Sequence, residues 1–304
     1  MVVSEWWRVL LALLVWPGLA CGTLLGWLYV WSARKLTARV QGRKGPPVFQ
    51  PCFDFIKLLG KEVLVPVGVS RVLFCALPVA SVSAVVCALA LIPAPGNPMP
   101  SFRGDLILLL YLLEVPALCG VLAGYASRSL YGEVGAAREA VLALGYNLPL
   151  LAAVVALGVQ AGSLRLANLA AAPLAPVHAA AAVAFLLAVP ARLKRNPFSI
   201  PNAEQEIVSG SLTDYSGAPL ALFELSHSLE LVAVVGLFAA LFLPPAADPL
   251  LGTALYLCGS LSLVVLVTLV AAATARLTLH QAFRFYWSWG AAAGLAAVLL
   301  AAIG

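Results

Sequence analysis

Hydrophobic residues dominate the chain in long runs, which short polar segments interrupt at fairly regular intervals. Eight of these runs are long enough to cross a membrane as helices, because lipid offers backbone amides no partner outside a helix. They cover about residues 9–31, 70–92, 104–127, 139–162, 171–190, 219–243, 250–274 and 285–303. The pattern therefore predicts an all-α polytopic membrane protein with about eight transmembrane helices, forming a single integral-membrane domain over residues 1–304.

The composition agrees with this pattern and narrows the class of protein. Hydrophobic residues make up 62% of the 304 residues, charged residues make up 10%, and the mean hydropathy is +1.00. A soluble globular domain carries about 25% charged residues, so this chain has too few charges to fold in water as one. The lipid bilayer is therefore the expected solvent for most of the chain.

The first polar connection contains a segment with its own periodicity. From Pro51 onward, apolar residues recur at helical spacing and polar residues fall on the opposite face. The apolar positions are Cys52, Phe53, Ile56, Leu59 and Val63, and the polar ones are Asp54, Lys57 and Lys61. This pattern predicts an amphipathic interfacial helix in the first cytoplasmic loop. A lipid anchor and a docking surface explain the segment equally well.

Basic residues are distributed unevenly between the two sets of connections. Fifteen of the 18 lysines and arginines lie in or next to the connections that follow the odd-numbered spans, and only Arg8, Arg103 and Arg165 lie on the other side. Positively charged loops stay in the cytoplasm. We therefore expect a multi-pass protein of the cell inner (cytoplasmic) membrane with both termini on the outer side. The net charge of +5 reflects this topology and does not indicate nucleic acid as a partner.

A second polar segment, residues 196–217, separates the fifth and sixth spans. It contains three of the 13 acidic residues, Glu204, Glu206 and Asp214. A loop this polar between apolar spans indicates a surface on which a partner docks or past which charge moves. Acidic residues near a helix N-terminus also stabilise the helix dipole with no further function, so both explanations stay open.

A short helix is expected within this polar segment. Asn202 has the position of an N-cap residue, and Gln205 follows it at the spacing of a capping box. Gly210 is the expected end of the helix.

Four ionisable residues stand out inside the predicted spans, where a charge costs about 2.5–3.5 kcal/mol on insertion scales. They are Glu114 in the third span and Glu224, His227 and Glu230 in the sixth. Glu224 and His227 are three residues apart and share one helix face. A carboxyl–imidazole pair passes protons, so a proton relay is the leading hypothesis for these positions, ahead of a purely structural role.

Six cysteines are scattered singly along the chain, with no CxxC pair among them. Metal and cluster sites need clustered thiolates, so this chain is expected to bind no metal and no cofactor of its own. Buried structural thiols are the expected role.

Four polar segments together resemble those of a known family. They are residues 42–62 (GRKGPPVFQPCFDFIKLLGKE), 131–141 (YGEVGAAREAV), 196–225 (NPFSIPNAEQEIVSGSLTDYSGAPLALFEL) and 276–287. In this order they resemble the membrane anchor subunit shared by formate hydrogenlyase and the energy-converting membrane-bound nickel–iron hydrogenases. That subunit is homologous to the quinone-channel (H) subunit of respiratory complex I. The resemblance covers nearly the whole chain.

The first connection resembles the hydrogenase branch more than complex I. It passes from Gly42-Arg43 directly to Gly45-Pro46, without the longer Arg-Pro-Gly-Pro-Asn insertion of the complex I members. Glu224 in its Ala-Leu-Phe-Glu-Leu context also resembles the hydrogenase branch. The resemblance therefore implies a non-catalytic anchor and coupling subunit of an oxidoreductase complex.

The resemblance also implies partners and residue roles. Nickel–iron and Fe–S centres are expected in partner subunits, namely the hydrogenase large and small (Fe–S) subunits, and antiporter-like membrane subunits are expected beside this chain. Redox chemistry in that peripheral arm would drive proton or sodium translocation. Docking of the arm is implied for Arg34, Arg39, Arg43 and Arg138, coupling at the junction for Glu204, Glu206 and Asp214, and proton relay for Glu224, His227, Glu230 and Glu114.

One departure from the family pattern affects the proton route. Relatives often have a Tyr-Glu-x-Pro segment in the fourth span, whereas this chain has Asn147, which does not titrate. Two rival functions stay open: a quinone-binding H-type subunit of NADH:quinone oxidoreductase, and a stand-alone secondary transporter with Glu114 and Glu224 as ion sites. The two halves of the chain show no internal repeat, which counts against the transporter.

Overall fold

The structure, a computed structural model, describes residues 3–244 and 248–303 and all their side chains except those of residues 3–5 and Glu204. In these ranges the chain is helical and contains no strand. The helices are α1 (Val3–Leu14), α2 (Leu19–Val40), α3 (Gln50–Leu59), α4 (Arg71–Leu91), α5 (Asp105–Ala126), α6 (Leu130–Gln160), α7 (Leu166–Ala170), α8 (Pro176–Arg192), α9 (Glu204–Ile207), α10 (Gly217–Phe242), α11 (Pro249–Ala273), α12 (Leu279–Phe285) and α13 (Ala291–Ile303). A 3₁₀ turn (Gly210–Leu212) follows α9, and a π-helical turn (Tyr286–Gly290) joins α12 to α13.

Seven helical segments within the described ranges are long and apolar enough to cross a membrane. They are Trp6–Val40, which combines α1 with α2, then α4, α5, α6, α10 and α11, and finally Leu279–Ile303, which combines α12 with α13. The remaining predicted span, the fifth (residues 171–190), corresponds to α8, an apolar helix of 17 residues. The prediction of an all-α polytopic membrane protein is confirmed.

The first predicted span, residues 9–31, is interrupted in the structure. A break separates α1 from α2 at residues 15–18, where Pro17 has no amide to donate to the helix. The Trp16 indole donates a hydrogen bond to the carbonyl of Pro95, which ties this break to the far end of α4. As a result α2 continues to Val40, well beyond the predicted end at residue 31.

Two other helices begin or end where the hydropathy pattern does not. Helix α6 starts at Leu130 instead of residue 139, so that Arg138 lies on a helix and not in a loop. Helix α8 starts at Pro176 and ends at Arg192, which is buried. Polar residues adjacent to apolar runs join these helices because partners inside the protein satisfy their charges.

Helix α10 is the central element of the bundle. Its membrane window is 83% buried, against 28–50% for the other spans. Ser226 of α10 and Ser81 of α4 share a hydrogen bond of 2.6 Å. Small residues let neighbouring backbones approach closely, and a Cβ atom on Gly26 of α2 would lie 2.8 Å from the carbonyl oxygen of Ser228. The ionisable side chains of α10 therefore lie in the middle of the protein.

The amphipathic helix predicted in the first connection is α3. Its Phe53 and Ile56 side chains are exposed, as expected for a face that meets lipid, while the Phe55 ring packs 5.7 Å from the Trp27 ring of α2. The helix ends at Leu59, before the predicted end at residue 63, and Gly60 takes the C-cap position. The interfacial helix is confirmed.

The expected N-cap of the short helix in the second polar segment is wrong. Helix α9 begins at Glu204, so Ala203 holds the N-cap position and no side chain caps the helix. Asn202 lies one residue too far upstream to reach the first free amides. The helix ends at Ile207, because Val208 adopts a left-handed backbone conformation with φ 58°.

Candidate functional site

The connections after the odd-numbered spans meet at one end of the bundle, which we call the basic face (residues 41–70, 127–129, 193–216 and 274–278). The Ser216 hydroxyl donates to the carbonyl of Glu62 at 3.1 Å and accepts from the amide of Leu64 at 3.0 Å. The Leu277 amide donates to the carbonyl of Pro197 at 2.9 Å. Loops that are far apart in the sequence therefore form one continuous polar surface.

Glu206 joins three elements of this surface. Its Oε2 accepts a hydrogen bond of 2.5 Å from Nη1 of Arg138 on α6, and its Oε1 lies 3.9 Å from Nη1 of Arg276. Arg276 Nε in turn donates to the Ser199 hydroxyl at 3.2 Å. The hydrogen bond and charge of Arg138 hold the pKa of Glu206 below its ordinary value, so the ion pair is present at neutral pH and is lost only as the pH falls through that lowered pKa.

Helix α6 approaches the 3₁₀ turn closely at Gly135. A Cβ atom at this position would lie 2.6 Å from the amide nitrogen of Ser211 and 2.7 Å from the Cα atom of Gly210. Both neighbours are backbone atoms, which have no room to move aside. The absence of a side chain at Gly135 is what lets the loop that carries Glu206 lie against α6.

We expect Gly135→Ala to displace this loop and to cost about 1–3 kcal/mol, the usual penalty for overpacking. Equilibrium unfolding in detergent measures the cost, and limited proteolysis of residues 199–216 measures the displacement. Gly60→Ala is the matched control, because a Cβ atom there would meet only ordinary contacts at 3.8–3.9 Å. Equal stability and equal proteolysis of the two variants would contradict this account of the packing.

The four arginines predicted to dock a partner differ in their surroundings. Arg138 is engaged with Glu206, and Nη1 of Arg34 donates to Asp54 of α3 at 2.9 Å. Burial raises the pKa of Asp54, but the hydrogen bonds from Arg34 and Gln50 outweigh it and leave the pKa below its ordinary value. Arg39 and Arg43 are exposed, and within the described part of the chain neither forms an ion pair.

Beneath the basic face lies a group of charged and polar side chains, which we call the central cluster (Glu114, Tyr146, Asn147, Arg192 and Glu230). Arg192 and Glu230 are buried, whereas Glu114 is 32% exposed. Nη1 of Arg192 lies 2.5 Å from Oε1 of Glu114 on α5, and its Nε lies 2.9 Å from Oε1 of Glu230 on α10. Asn147 Nδ2 donates to the other oxygen of Glu114 at 2.8 Å, and the Tyr146 ring lies 5.6 Å from Arg192 Cζ. Two predicted relay residues are thus bound to one guanidinium.

A second buried ion pair lies next to this cluster. Lys194 Nζ is 2.6 Å from Oε1 of Glu139, whose carboxylate is almost completely buried. Neither carboxylate oxygen has a well-directed hydrogen bond among the described residues, so the contact is an ion pair in which charge and distance matter more than direction. A Cβ atom on Gly120 of α5 would lie 3.2 Å from Glu139 Oε2, so the carboxylate has no further space on that side.

His227 pairs with a different carboxyl from the one expected. Its Nδ1 lies 3.7 Å from Oε2 of Glu230, one turn further along α10, and within the described structure it forms no ion pair with Glu224. Both Glu224 and His227 nevertheless face the same small cavity of about 60 Å³, which Lys194 and Glu230 also line. The shared helix face was correct, and the direct carboxyl–imidazole bond was assigned to the wrong partner.

Glu224 lies where three cavities adjoin. The first is the 60 Å³ cavity that leads to Glu230. The second, of about 590 Å³, opens at the basic face and is lined by Arg34, Arg195 and Arg276. The third, of about 310 Å³, lies between α2, α3 and α10. Glu224 is therefore the described carboxyl that connects the surface cavities with the interior.

Two predicted coupling residues contribute less to this arrangement. Asp214 forms no ion pair within the described structure, and its Oδ2 is buried without a hydrogen bond. The neighbouring Tyr215 ring stacks on Phe74 with 3.9 Å between ring centroids, which fixes this end of the loop to α4. The side chain of Glu204 lies outside the described residues, so its predicted role stays a prediction.

The described residues contain no group of three or more His, Cys, Asp or Glu side chains that could hold a metal ion. All six cysteines are free, and they lie on different parts of the bundle. Where metal centres of the assembly lie thus stays a prediction.

Sequence analysis missed Arg192, Lys194 and Glu139 as members of the interior. It counted the two cations as loop charges that determine topology, and it gave Glu139 no role. One signal was present: Arg192 directly follows an apolar run that ends in Pro190-Ala191. Arg192 is therefore as close in sequence to the apolar run as it is to the polar loop that follows. Asn147, which was interpreted as a missing proton step, instead binds Glu114.

Comparison with known proteins agrees with this architecture. A sequence model of a family described as NADH dehydrogenase matches residues 13–302. The second of the NADH-quinone oxidoreductase H subunits of Syntrophobacter fumaroxidans is 33% identical over 279 residues, which cover 85% of this chain and 84% of the relative. The NADH-quinone oxidoreductase H subunit of Syntrophotalea carbinolica is 32% identical over 317 residues, which cover 96% of each chain.

A solved structure matches over nearly the full length of the chain. It is a chain of the membrane-bound sulfane sulfur reductase, an archaeal respiratory membrane complex, which superposes with a TM-score of 0.87 at 26% sequence identity. The match covers 98% of this chain and 99% of that chain. The helix order of the bundle is therefore shared with a subunit of a respiratory assembly.

Proposed function

Because this chain belongs to the NADH dehydrogenase family, we propose that it is the membrane anchor and coupling subunit of a complex I-like respiratory membrane-bound hydrogenase or formate hydrogenlyase. Its relatives are subunits of multi-subunit membrane complexes, which supports a role within an assembly over that of a stand-alone transporter. The resemblance to the H-type subunit of complex I is confirmed, and the hydrogenase branch is the finer part of the proposal. The compact first connection at Gly42–Pro47 supports that branch.

The observation that carries the anchor role is the interlocked basic face. Glu206 bridges α6 and the loop after α11, and Ser216 joins the same segment to the first connection. A peripheral arm that rests on this face would therefore contact loops from three separate parts of the chain at once. Arg39 and Arg43 remain exposed there to bind carboxylates of the arm.

The buried charges support a coupling role. In this proposal, movement of the loop that carries Glu206 and Asp214 changes the surroundings of Glu224, which faces both the surface cavity and the cavity next to Glu230. A proton would then pass from Glu224 by way of His227 to Glu230 and Glu114. Buried carboxyls held near charges suit such transfer, because small changes in geometry alter which group holds the proton.

The cavity between α2, α3 and α10 favours a second candidate function. Its volume of about 310 Å³ and its apolar lining of Trp27, Phe55 and Leu58 match a small-ligand site at the membrane interface. Arg34 and Asp54 supply polar groups at its mouth. Under this alternative the chain is a quinone-binding H-type subunit of an NADH:quinone oxidoreductase.

Isolation of the chain from its native membrane in a mild detergent tests the proposal. Nickel, iron and hydrogen-evolution activity that co-purify with it are the expected result, together with subunits of a peripheral arm and antiporter-like membrane subunits. Quinone-dependent oxidation of NADH in the same preparation, without nickel, would replace the proposal with the second candidate. A metal-free chain that purifies alone would contradict both.

The expected orientation follows from the same proposal. The basic face would lie on the cytoplasmic side and both chain termini on the outer side, because the arm and its electron donors are cytoplasmic. Single cysteines at Gly42 and at Gly96, which lie in connections on opposite ends of the bundle, test this in a chain whose six native cysteines are replaced by alanine. A membrane-impermeant thiol reagent added to intact cells should modify the second and leave the first unmodified.

A further inference from the structure

Arg192 is the described residue that connects the most charged groups of the interior. It is 1% exposed and binds carboxylates on two different helices, Glu114 of α5 and Glu230 of α10. The groups that face it or adjoin its partners are Glu114 on α5, Glu139, Tyr146 and Asn147 on α6, His227 and Glu230 on α10, and Lys194 in the loop after α8. Glu224 and Arg195, which line the adjoining surface cavity, add one charge of each sign and leave the balance unchanged.

The charges in this group do not balance. Three carboxylates, those of Glu114, Glu139 and Glu230, face the two cations Arg192 and Lys194. One negative charge is therefore in excess. Glu114 is 32% exposed, but Glu139 and Glu230 are almost completely buried, where an unbalanced charge is unfavourable unless a proton neutralises it. The Glu230 carboxyl and the His227 imidazole are 3.7 Å apart, which is the carboxyl–imidazole contact of this group.

Binding of a second proton is less favourable than binding of the first. The first proton already neutralises the single excess negative charge. With Arg192 in place, a second proton would therefore leave a net positive charge in the interior. A guanidinium does not lose its proton in proteins, so Arg192 cannot compensate by becoming neutral. Moving the guanidinium away from one of its two carboxylates would remove this obstacle to a second proton.

We propose that Arg192 is the positioning residue that limits the central cluster to one proton, and that its release from Glu114 or Glu230 opens the cluster to a second. This inference rests on the proposed coupling function. It identifies the group that moves in the relay as the permanently charged guanidinium of Arg192, and not as one of the carboxyl groups.

The position of Arg192 in the fold connects it to the basic face. It is the last residue of α8, and the chain continues through Lys194 into the loop that contains Ser199. The Ser199 hydroxyl accepts a hydrogen bond from Arg276. Lys194 has a left-handed backbone conformation with φ 51°, which is strained for a residue with a side chain. A displacement of this loop by a docked partner would therefore be transmitted through Lys194 to the guanidinium.

Infrared spectroscopy of the purified complex tests the proposal. The carboxyl C=O band of protonated glutamate should gain the intensity of one group in Arg192→Gln relative to the wild type, because the lost cation is replaced by a proton. Arg192→Lys keeps the charge and should show the wild-type band. Each of the double variants Arg192→Gln/Glu114→Gln and Arg192→Gln/Glu230→Gln also removes one carboxylate, so the band should return to the wild-type intensity in both.

Proton movement in sealed vesicles that contain the complex gives a second result. Without turnover, an imposed pH gradient should decay about tenfold faster with Arg192→Gln than with the wild type. It should decay at the wild-type rate with Arg192→Lys. An unchanged carboxyl band and an unchanged decay rate in Arg192→Gln would overturn the proposal, as would identical behaviour of the Gln and Lys variants.

These measurements remain decisive if a variant folds poorly or if the coupling proposal fails. Should Arg192→Gln not assemble, the double variant with Glu230→Gln removes both charges of a buried pair and is compared with Glu230→Gln alone. The comparison should show one additional protonated carboxyl in the double variant, and no difference would overturn the proposal. A wild-type complex that builds no ion gradient would contradict the coupling function, while the infrared result would still decide the role of Arg192.

Discussion

Replacing Glu139 by alanine is expected to destabilise the folded bundle by about 3–5 kcal/mol, because it leaves a buried cation without its partner. Glu139 is 3% exposed, and Lys194, whose Nζ lies 2.6 Å away, is 16% exposed. Both groups are shielded from solvent, which therefore cannot replace the carboxylate. The loss should be visible as a lower midpoint in equilibrium unfolding of the chain in detergent.

A double-mutant cycle separates the ion pair from the space that the two side chains fill. Glu139→Ala combined with Lys194→Met removes both charges and keeps a long apolar side chain, so the double variant should recover most of the lost stability. Glu133→Ala on the exposed side of α6 is the matched control and should change stability by less than about 0.5 kcal/mol. A double variant as unstable as Glu139→Ala would show that packing, and not charge, holds Glu139 in place.

Glu206→Gln is expected to uncouple redox turnover from ion translocation. The amide keeps the shape of the side chain and its ability to accept a hydrogen bond from Arg138, so the loop should stay on α6. The negative charge that binds Arg138 and attracts Arg276 is lost. If that charge transmits the state of the peripheral arm, hydrogen evolution should continue while the ion gradient built per turnover falls by at least about tenfold.

The experiment compares vesicles that contain wild-type, Glu206→Gln and Glu133→Gln complexes. Glu133 lies near Arg138 on α6, is exposed and forms no ion pair in the described structure, so its variant controls for loss of any carboxylate near the basic face. Activity and gradient should be normal in this control. A normal gradient in Glu206→Gln would contradict the coupling role of Glu206, and loss of hydrogen evolution would indicate an assembly defect instead.

The structure changes how the predicted roles are divided. Sequence analysis placed Arg138 in partner docking and Glu206 in coupling, yet the two side chains form one ion pair. In the proposed function, docking and coupling would therefore depend on the same contact. A partner that competes for Arg138 would release Glu206, which links the binding of the arm to the position of the loop without a separate signal.

In the interior, too, local sequence patterns identified some of the charged residues and missed others. Glu114 and Glu230 were found from sequence because a charge inside an apolar run is rare and costly. Arg192 was missed because the positive-inside rule treats every cation next to a span as a loop charge. Its partner Glu114 is 78 residues away, and nothing in the local pattern of either segment indicates that they meet.

The sequence by itself determined the fold class, the order of the membrane spans, the interfacial helix and the family. Each of these depends on a local property: the length of an apolar run, its period or a short motif. Such properties can be recognised from residues that are close together in the sequence. Only the tertiary structure decided which charges are paired. The partner of a buried charge depends on which helices are neighbours, and that arrangement results from the packing of the whole bundle around α10.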